Sequence, residues 1–249
     1  MKERRGVLVR IGIDQSSKGG NWNAPVDLES KEFVYVPIPD SEKKNYRPGL
    51  RRGYEEITPV LDAFAIRHRI GVTTGLGFPR KLLNRAMHLD PDFDCLTYGD
   101  NGAKQGSRFK SLNPDDLVVF FSSLRAIEPT AELVYALVGL FIVEECLPAT
   151  AAPPDRYGEN AHTRWKVISK RDVVIRAKAG LSGRLERCIP IGELRNGAYR
   201  LTEEMDKAWG GVAVKDGFLQ RRVTPYLKNP DCFYEWFKRQ EVRLVRSNS

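Results

Sequence analysis

Two apolar runs, Leu117–Phe121 and Leu133–Val143, constrain this chain more than any other feature of it. Neither shows the polar alternation of a strand with one wet face, and both are rich in β-branched and aromatic residues. Runs of that kind predict strands covered on both faces, and so the middle of a sheet. Val7–Ile13, Phe33–Ile38, Asp94–Tyr98 and Val173–Ala177 read as further strands. Thr58 as N-cap, with Pro59 at the first helical position, predicts a helix to about Ile70, ended by Gly71–Gly77. Arg80–Met87 reads as a short helix. Thr202, Glu203 and Glu204 open another toward Trp209, and Asn229 with Pro230 opens the last.

Strands outnumber helices and their order is mixed, which predicts an α/β fold with a central mixed sheet flanked by helices. A chain of 249 residues with 41% hydrophobic content can bury one large core, so a single domain over 1–249 is expected. Gln15–Asn23 and the basic segment from Pro39 to Tyr54 read as loops, and the Pro- and Ala-rich segment Pro148–Tyr157 as a long loop inside that domain. No apolar run reaches about 18 residues, so no membrane span is expected. The start, MKERRGVLVRIGID, lacks the apolar stretch of a secretory leader, which points to the cytoplasm. Cys95, Cys146, Cys188 and Cys232 form no C-x-x-C pair and have no His at ligand spacing, which argues against zinc.

Charge points to a polyanionic partner. Lys and Arg number 40 against 32 Asp and Glu, a formal net charge of +8. From Arg164 to Arg200 ten basic residues face three acidic ones, a stretch that could gather phosphates or equally be a solvated face.

Five segments could carry chemistry. In Gly12–Asp27, Asp14 stands at a strand end before a Gly-rich loop and Asn23 near its close, where α/β sheets form ligand sites; Asp14 could equally cap the turn. His88–Asp100 packs four Asp residues and a His into thirteen positions without Lys or Arg. Carboxylates so dense repel one another, so at least one should titrate high unless a metal or an Arg compensates, although Asp90 and Asp92 could simply cap turns around Pro91. Arg125 follows the strand-like LVVFFSSL and could hold a phosphate or an acid. Glu159–Trp165 gathers Asn160, His162 and Arg164 beside an aromatic ring, a set suited to a base taken out of its stack. Ala179–Arg184 offers Ser182 and Arg184 to a phosphate but matches no P-loop.

Together GID with GGNWNAPVD, FVYVPIP, RPGLRRGYEEI, HLDPDFDCLTYGD, DLVVFFSSLR and ENAHTRW, spread over residues 6 to 190, resemble the third of the nucleotide-modification-associated domain families. The chain is also similar to the Brig-type anti-phage DNA glycosylases, which remove glucosylated hydroxymethylcytosine. The resemblance implies excision of a bulky modified base from phage DNA to leave an abasic site, with double-stranded DNA carrying modified bases as partner. The alternatives are an enzyme that makes or attaches the modification, or a non-catalytic reader of it. The residues themselves supply the expected roles: Asp14, Asp90 and Asp100 for catalysis; Asn23, His88, Tyr98, Arg125, Asn160, His162 and Arg164 for the substrate; Lys170, Arg171, Ser182 and Arg184 for the DNA backbone. Neither metal nor cofactor is expected.

Overall fold

The computed structural model describes residues 3–15, 22–70, 77–101, 106–128, 132–220 and 223–249. Most of the Gln15–Asn23 loop and of the Gly71–Gly77 break lies outside them. In chain order the strands are β1 (Gly6–Arg10), β2 (Pro25–Val26), β3 (Ile38–Pro39), β4 (Met87–His88), β5 (Thr97–Asn101), β6 (Leu117–Ala126), β7 (Leu133–Pro148), β8 (Asp172–Ala177), β9 (Gly183–Pro190), β10 (Gly192–Arg195), β11 (Ala198–Leu201) and β12 (Leu244–Val245). The helices are α1 (Thr58–Arg67), α2 (Gly106–Lys110), α3 (Ala161–Arg164), α4 (Glu203–Ala208) and α5 (Pro230–Lys238).

The two apolar runs become β6 and β7, which lie side by side at the centre of an eight-stranded sheet. Its main path is β1-β6-β7-β8-β5, with β2 also on β6, β9 also on β7, and β12 on β9. β6 runs parallel to β1 and β2 but antiparallel to β7, so the sheet is mixed. The far edge of β7 is shared, since Ala136–Leu140 pairs with β9 and Val143–Pro148 with β8. Strands from both sides of Pro148–Tyr157 enter this one sheet, so the segment joins parts of a single α/β domain; it holds the 3-10 turns Ala149–Ala151 and Pro154–Glu159.

The sheet curls. Tyr98 on β5 lies 5.4 Å, centroid to centroid, from Phe120 on β6, although two strands separate them along the path. Phe93 and Phe141 close the same cluster edge-to-face on Phe120. These aromatic rings hold β5 against β6 and β7 on the inner side of the curl.

Several boundaries differ from the sequence expectation, each for a local reason. Phe33–Ile38 is buried and extended but joins no continuous ladder: Phe33 bridges Val26, and only Ile38–Pro39 pairs, with β4. Pro37 and Pro39 lack the donors a ladder needs. The strand expected at Asp94 begins at Thr97, because Asp92 Oδ1 accepts the amides of Asp94 and Cys95 and Leu96 turns with φ 54°. Arg80–Met87 forms only a 3-10 turn, Arg80–Leu82, before β4. Thr58 is the first residue of α1 rather than its cap; Ile57 takes that position, and the Thr58 hydroxyl donates to Tyr54 O. Side chains of Thr202 and Asn229 cap α4 and α5 as expected. Among the described residues no helix is long and apolar enough to cross a membrane.

Candidate active site

A polar cavity of about 250 Å³ opens where the two ends of the curled path approach each other. The end of β1 brings Arg10, β5 brings Tyr98, Gly99 and Asp100, β4 brings His88 with Asp90 just beyond it, and α3 brings His162. Asn160 places α3: its Oδ1 caps the helix by accepting His162 N at 2.9 Å, and its Nδ2 donates to Thr97 Oγ1 at 3.2 Å on β5. Gly99 N donates to Asp90 Oδ1 at 2.6 Å, which fixes that carboxylate with its Oδ2 toward the imidazoles.

Both imidazoles converge on Asp90. His162 Nε2 lies 3.6 Å and His88 Nε2 3.7 Å from Asp90 Oδ2. Behind each ring stands a second carboxylate. His162 Nδ1 is 2.6 Å from Asp172 Oδ2 at the start of β8, and His88 Nδ1 is 3.7 Å from Asp40 Oδ2. Asp40 is itself held by Tyr46 Oη at 2.7 Å and Trp165 Nε1 at 2.8 Å, and the Trp165 ring stacks on His88. Among the described residues His88, Asp90 and His162 form the one group of such side chains able to hold a metal ion, their donor atoms all within 4.8 Å of one another.

The electrostatics follow from burial and crowding. Burial, joined by the charge of Asp90, pushes the Asp100 carboxyl up to about 6, while Tyr98 Oη donates to it at 3.2 Å. The Tyr98 phenol is driven well above its ordinary range by burial and by Asp100, so it stays neutral. For His162 burial opposes the imidazolium, yet the carboxylates of Asp172 and Asp90 outweigh it and raise the ring to about 9. Asp172 shows the converse: burial would raise it, but the hydrogen bond from His162 holds it below the usual carboxylate range. Asp40 is likewise held down to about 2, against burial, by His88, Tyr46 and Trp165.

The sequence-derived set divides. His88, Asp90, Tyr98, Asp100 and His162 line the cavity, and Asn160 braces it from behind. Asp14 is 1% exposed and lies behind the lining, paired with Arg10 at 2.9 Å. Asn23 is fully buried, and its Nδ2 donates to Ser123 O and Oγ, tying its loop to β6. Arg125 lies near the end of β6, paired with Pro25 of β2, and is not among the residues that line the cavity. Arg164 is 3% exposed and pairs with the equally buried Asp92 at 2.5 Å, so both brace the fold.

Half of the ten cations in the basic stretch, Arg164 among them, are paired with acids within the molecule. Arg176 pairs with Glu145 and Glu159, Lys178 with Asp115, Arg195 with Glu203 and Asp216, and Arg200 with Asp216. Ser182 Oγ is buried and accepts Ile142 N, while Arg184 donates to the carbonyls of Ser247 and Ser249, so neither faces a phosphate. Lys170 and Arg171 stay exposed, immediately before Asp172.

Sequence reasoning missed Arg10, Asp40, Gly99 and Asp172. Asp172 stood in plain view as one of three acids in a basic stretch, but nothing local pairs it with His162. Arg10 lies inside a strand, and a lone Arg there carries no signal of its own.

No curated protein and no solved structure gives a significant match to the chain. The family described as nucleotide modification associated domain 3 matches residues 5–246, nearly the whole chain and every element that builds the cavity. The chain therefore belongs to the nucleotide modification associated domain 3 family and has a role connected with nucleotide modification.

Proposed function

We propose that the cavity receives a modified base swung out of duplex DNA and hydrolyses its N-glycosidic bond. One observation carries this reading: His88, Asp90 and Asp100 from one acidic segment and His162 from a distant one converge on one polar opening in a protein tied to nucleotide modification. Breaking the bond between C1′ and the base nitrogen builds positive charge on the sugar, which a carboxylate beside it stabilises. Asp100 fills that role and accepts the proton of the attacking water, which Asp90 and the imidazoles hold in place. The water oxygen bonds to C1′, the C–N electron pair leaves with the base, and the base takes a proton from solvent. The products are an abasic sugar and the free base. Tyr98 donates to Asp100 and orients it. Lys170 and Arg171, exposed next to Asp172, hold backbone phosphates while the base is extruded.

The substrate class is a bulky modified base of the glucosylated hydroxymethylcytosine type, and the biological setting is defence against phage whose DNA carries it. The test incubates the purified chain with matched plain and glucosyl-hydroxymethylcytosine duplexes, then treats them with alkali and assays the supernatant for free base by mass spectrometry. Free modified base together with alkali-labile breaks is the expected result. Tight binding with no base released would assign the chain instead as a reader, and a gain of mass on DNA when a donor is supplied would make it a modifying enzyme.

A further inference from the structure

The cavity holds three donor atoms arranged as ligands of one ion. His88 Nε2 and His162 Nε2 lie 3.7 and 3.6 Å from Asp90 Oδ2, beyond hydrogen-bond range. Metal–nitrogen and metal–oxygen bonds of about 2.0–2.2 Å place neighbouring ligands of one ion roughly 3.0–3.6 Å apart; the two separations from Asp90 are close to this, and all three donor atoms lie within 4.8 Å of one another.

Two of the three ligands, His162 and Asp90, are also oriented from behind by hydrogen bonds, as metal ligands are. Asp172 takes the far nitrogen of His162 at 2.6 Å, and Asp40 stands 3.7 Å from that of His88, fixed there by Tyr46 and Trp165. The other oxygen of Asp90 accepts Gly99 N at 2.6 Å. The hydrogen bonds to His162 and Asp90 therefore use the nitrogen and the oxygen that face away from the centre, leaving the donors of His88, Asp90 and His162 within 4.8 Å of one another. Those donors sit in the cavity wall, so the remaining coordination positions face the space where a substrate enters. Two imidazoles and one carboxylate suit a divalent first-row transition ion; magnesium and calcium prefer all-oxygen sets. Sequence spacing could not reveal this site, because its two histidines lie in distant segments.

We propose that His88, Asp90 and His162 bind one divalent first-row transition metal ion, and that the attacking water sits on it. Binding of the ion stands on the geometry alone; its part in catalysis rests on the hydrolytic reading above. An ion lowers the pKa of its bound water, so the nucleophile forms close to C1′ and its proton passes to Asp100.

The test uses the untagged full chain, stripped with chelator and dialysed separately against cobalt(II), zinc(II) and, without oxygen, iron(II). One equivalent of at least one ion should remain bound by elemental analysis, with a rise in melting temperature. His88→Gln and His162→Gln should lose the bound ion while keeping the far-ultraviolet circular dichroism of the wild type. If either fails to fold, Asp172→Asn serves in its place, with affinity lowered about 10–100-fold. The site is overturned if none of the three ions is retained, or if these variants retain them as the wild type does. Base release at full rate by ion-free protein would overturn the ion's catalytic part and leave the hydrolytic reading standing. An ion held as expected with no base released would establish the site and remove the hydrolytic reading.

Discussion

Gly99 and His162 occupy adjoining space so closely that a Cβ on Gly99 would collide with the imidazole Cδ2 and lie 2.7 Å from Asn160 Oδ1. The absence of a side chain at that point of β5 is what lets α3 press its histidine into the cavity. Gly99→Ala should push α3 outward, lowering stability by about 1–3 kcal/mol as overpacking does. The urea midpoint measures the stability loss. Base release by the folded fraction should fall further than stability alone explains, and an unchanged midpoint with unchanged activity would contradict the packing described.

Asp92 and Asp100 come from one acidic segment yet should behave in opposite ways. Asp92→Asn leaves the buried Arg164 charge without its carboxylate and should cost about 3–5 kcal/mol. Asp100→Asn removes a carboxylate crowded by burial and by Asp90, so the fold should be as stable as the wild type or more so. Its base release should drop by about 10²–10⁴-fold, the range for loss of a catalytic acid or base. Chemical denaturation and single-turnover kinetics on the two variants separate the roles.

Lys170 and Arg171 should report on DNA as phosphate contacts do. Replacing both by Ala should weaken binding similarly for plain and modified duplexes and reduce the slope of log affinity against log salt by about 2, one per contact. Arg184→Ala should instead lower thermal stability with the salt slope unchanged, because its guanidinium holds the last residues of the chain. Fluorescence anisotropy titrations over a salt series decide between these outcomes.

The cysteines give an independent check on burial. Cys232 is exposed, whereas burial pushes the Cys188 thiol up to about 12. Maleimide at about pH 8 should label Cys232 within minutes and reach Cys188 only after denaturation, because the thiolate is the reactive form. Peptide mapping after timed quenching locates the label; early labelling at Cys188 would contradict its place in the core.

Much of the site was legible because one short segment concentrates its chemistry. His88, Asp90, Tyr98 and Asp100 stand within thirteen residues, and ENAHTRW supplies His162 and the Asn160 that caps its helix. Asp14 stands at a strand end in the sequence, where a ligand site is expected, and the structure buries it against Arg10 of the strand before it. The pairing of the basic stretch was not legible because the partner acids Asp115, Glu145, Glu159 and Asp216 all lie outside it in the sequence.

The sequence by itself determined the elements whose cause is local. Uninterrupted apolar runs had to become β6 and β7 inside a sheet, and Thr202 and Asn229 had to start helices. The tertiary structure alone decided which carboxylates share a cavity, which cations remain free and which acid stands behind each histidine. Hydrophobic periodicity and capping act over a few residues, whereas Asp172 meets His162, and Asp40 meets His88, only after strand register and the curl of the sheet have brought remote segments together.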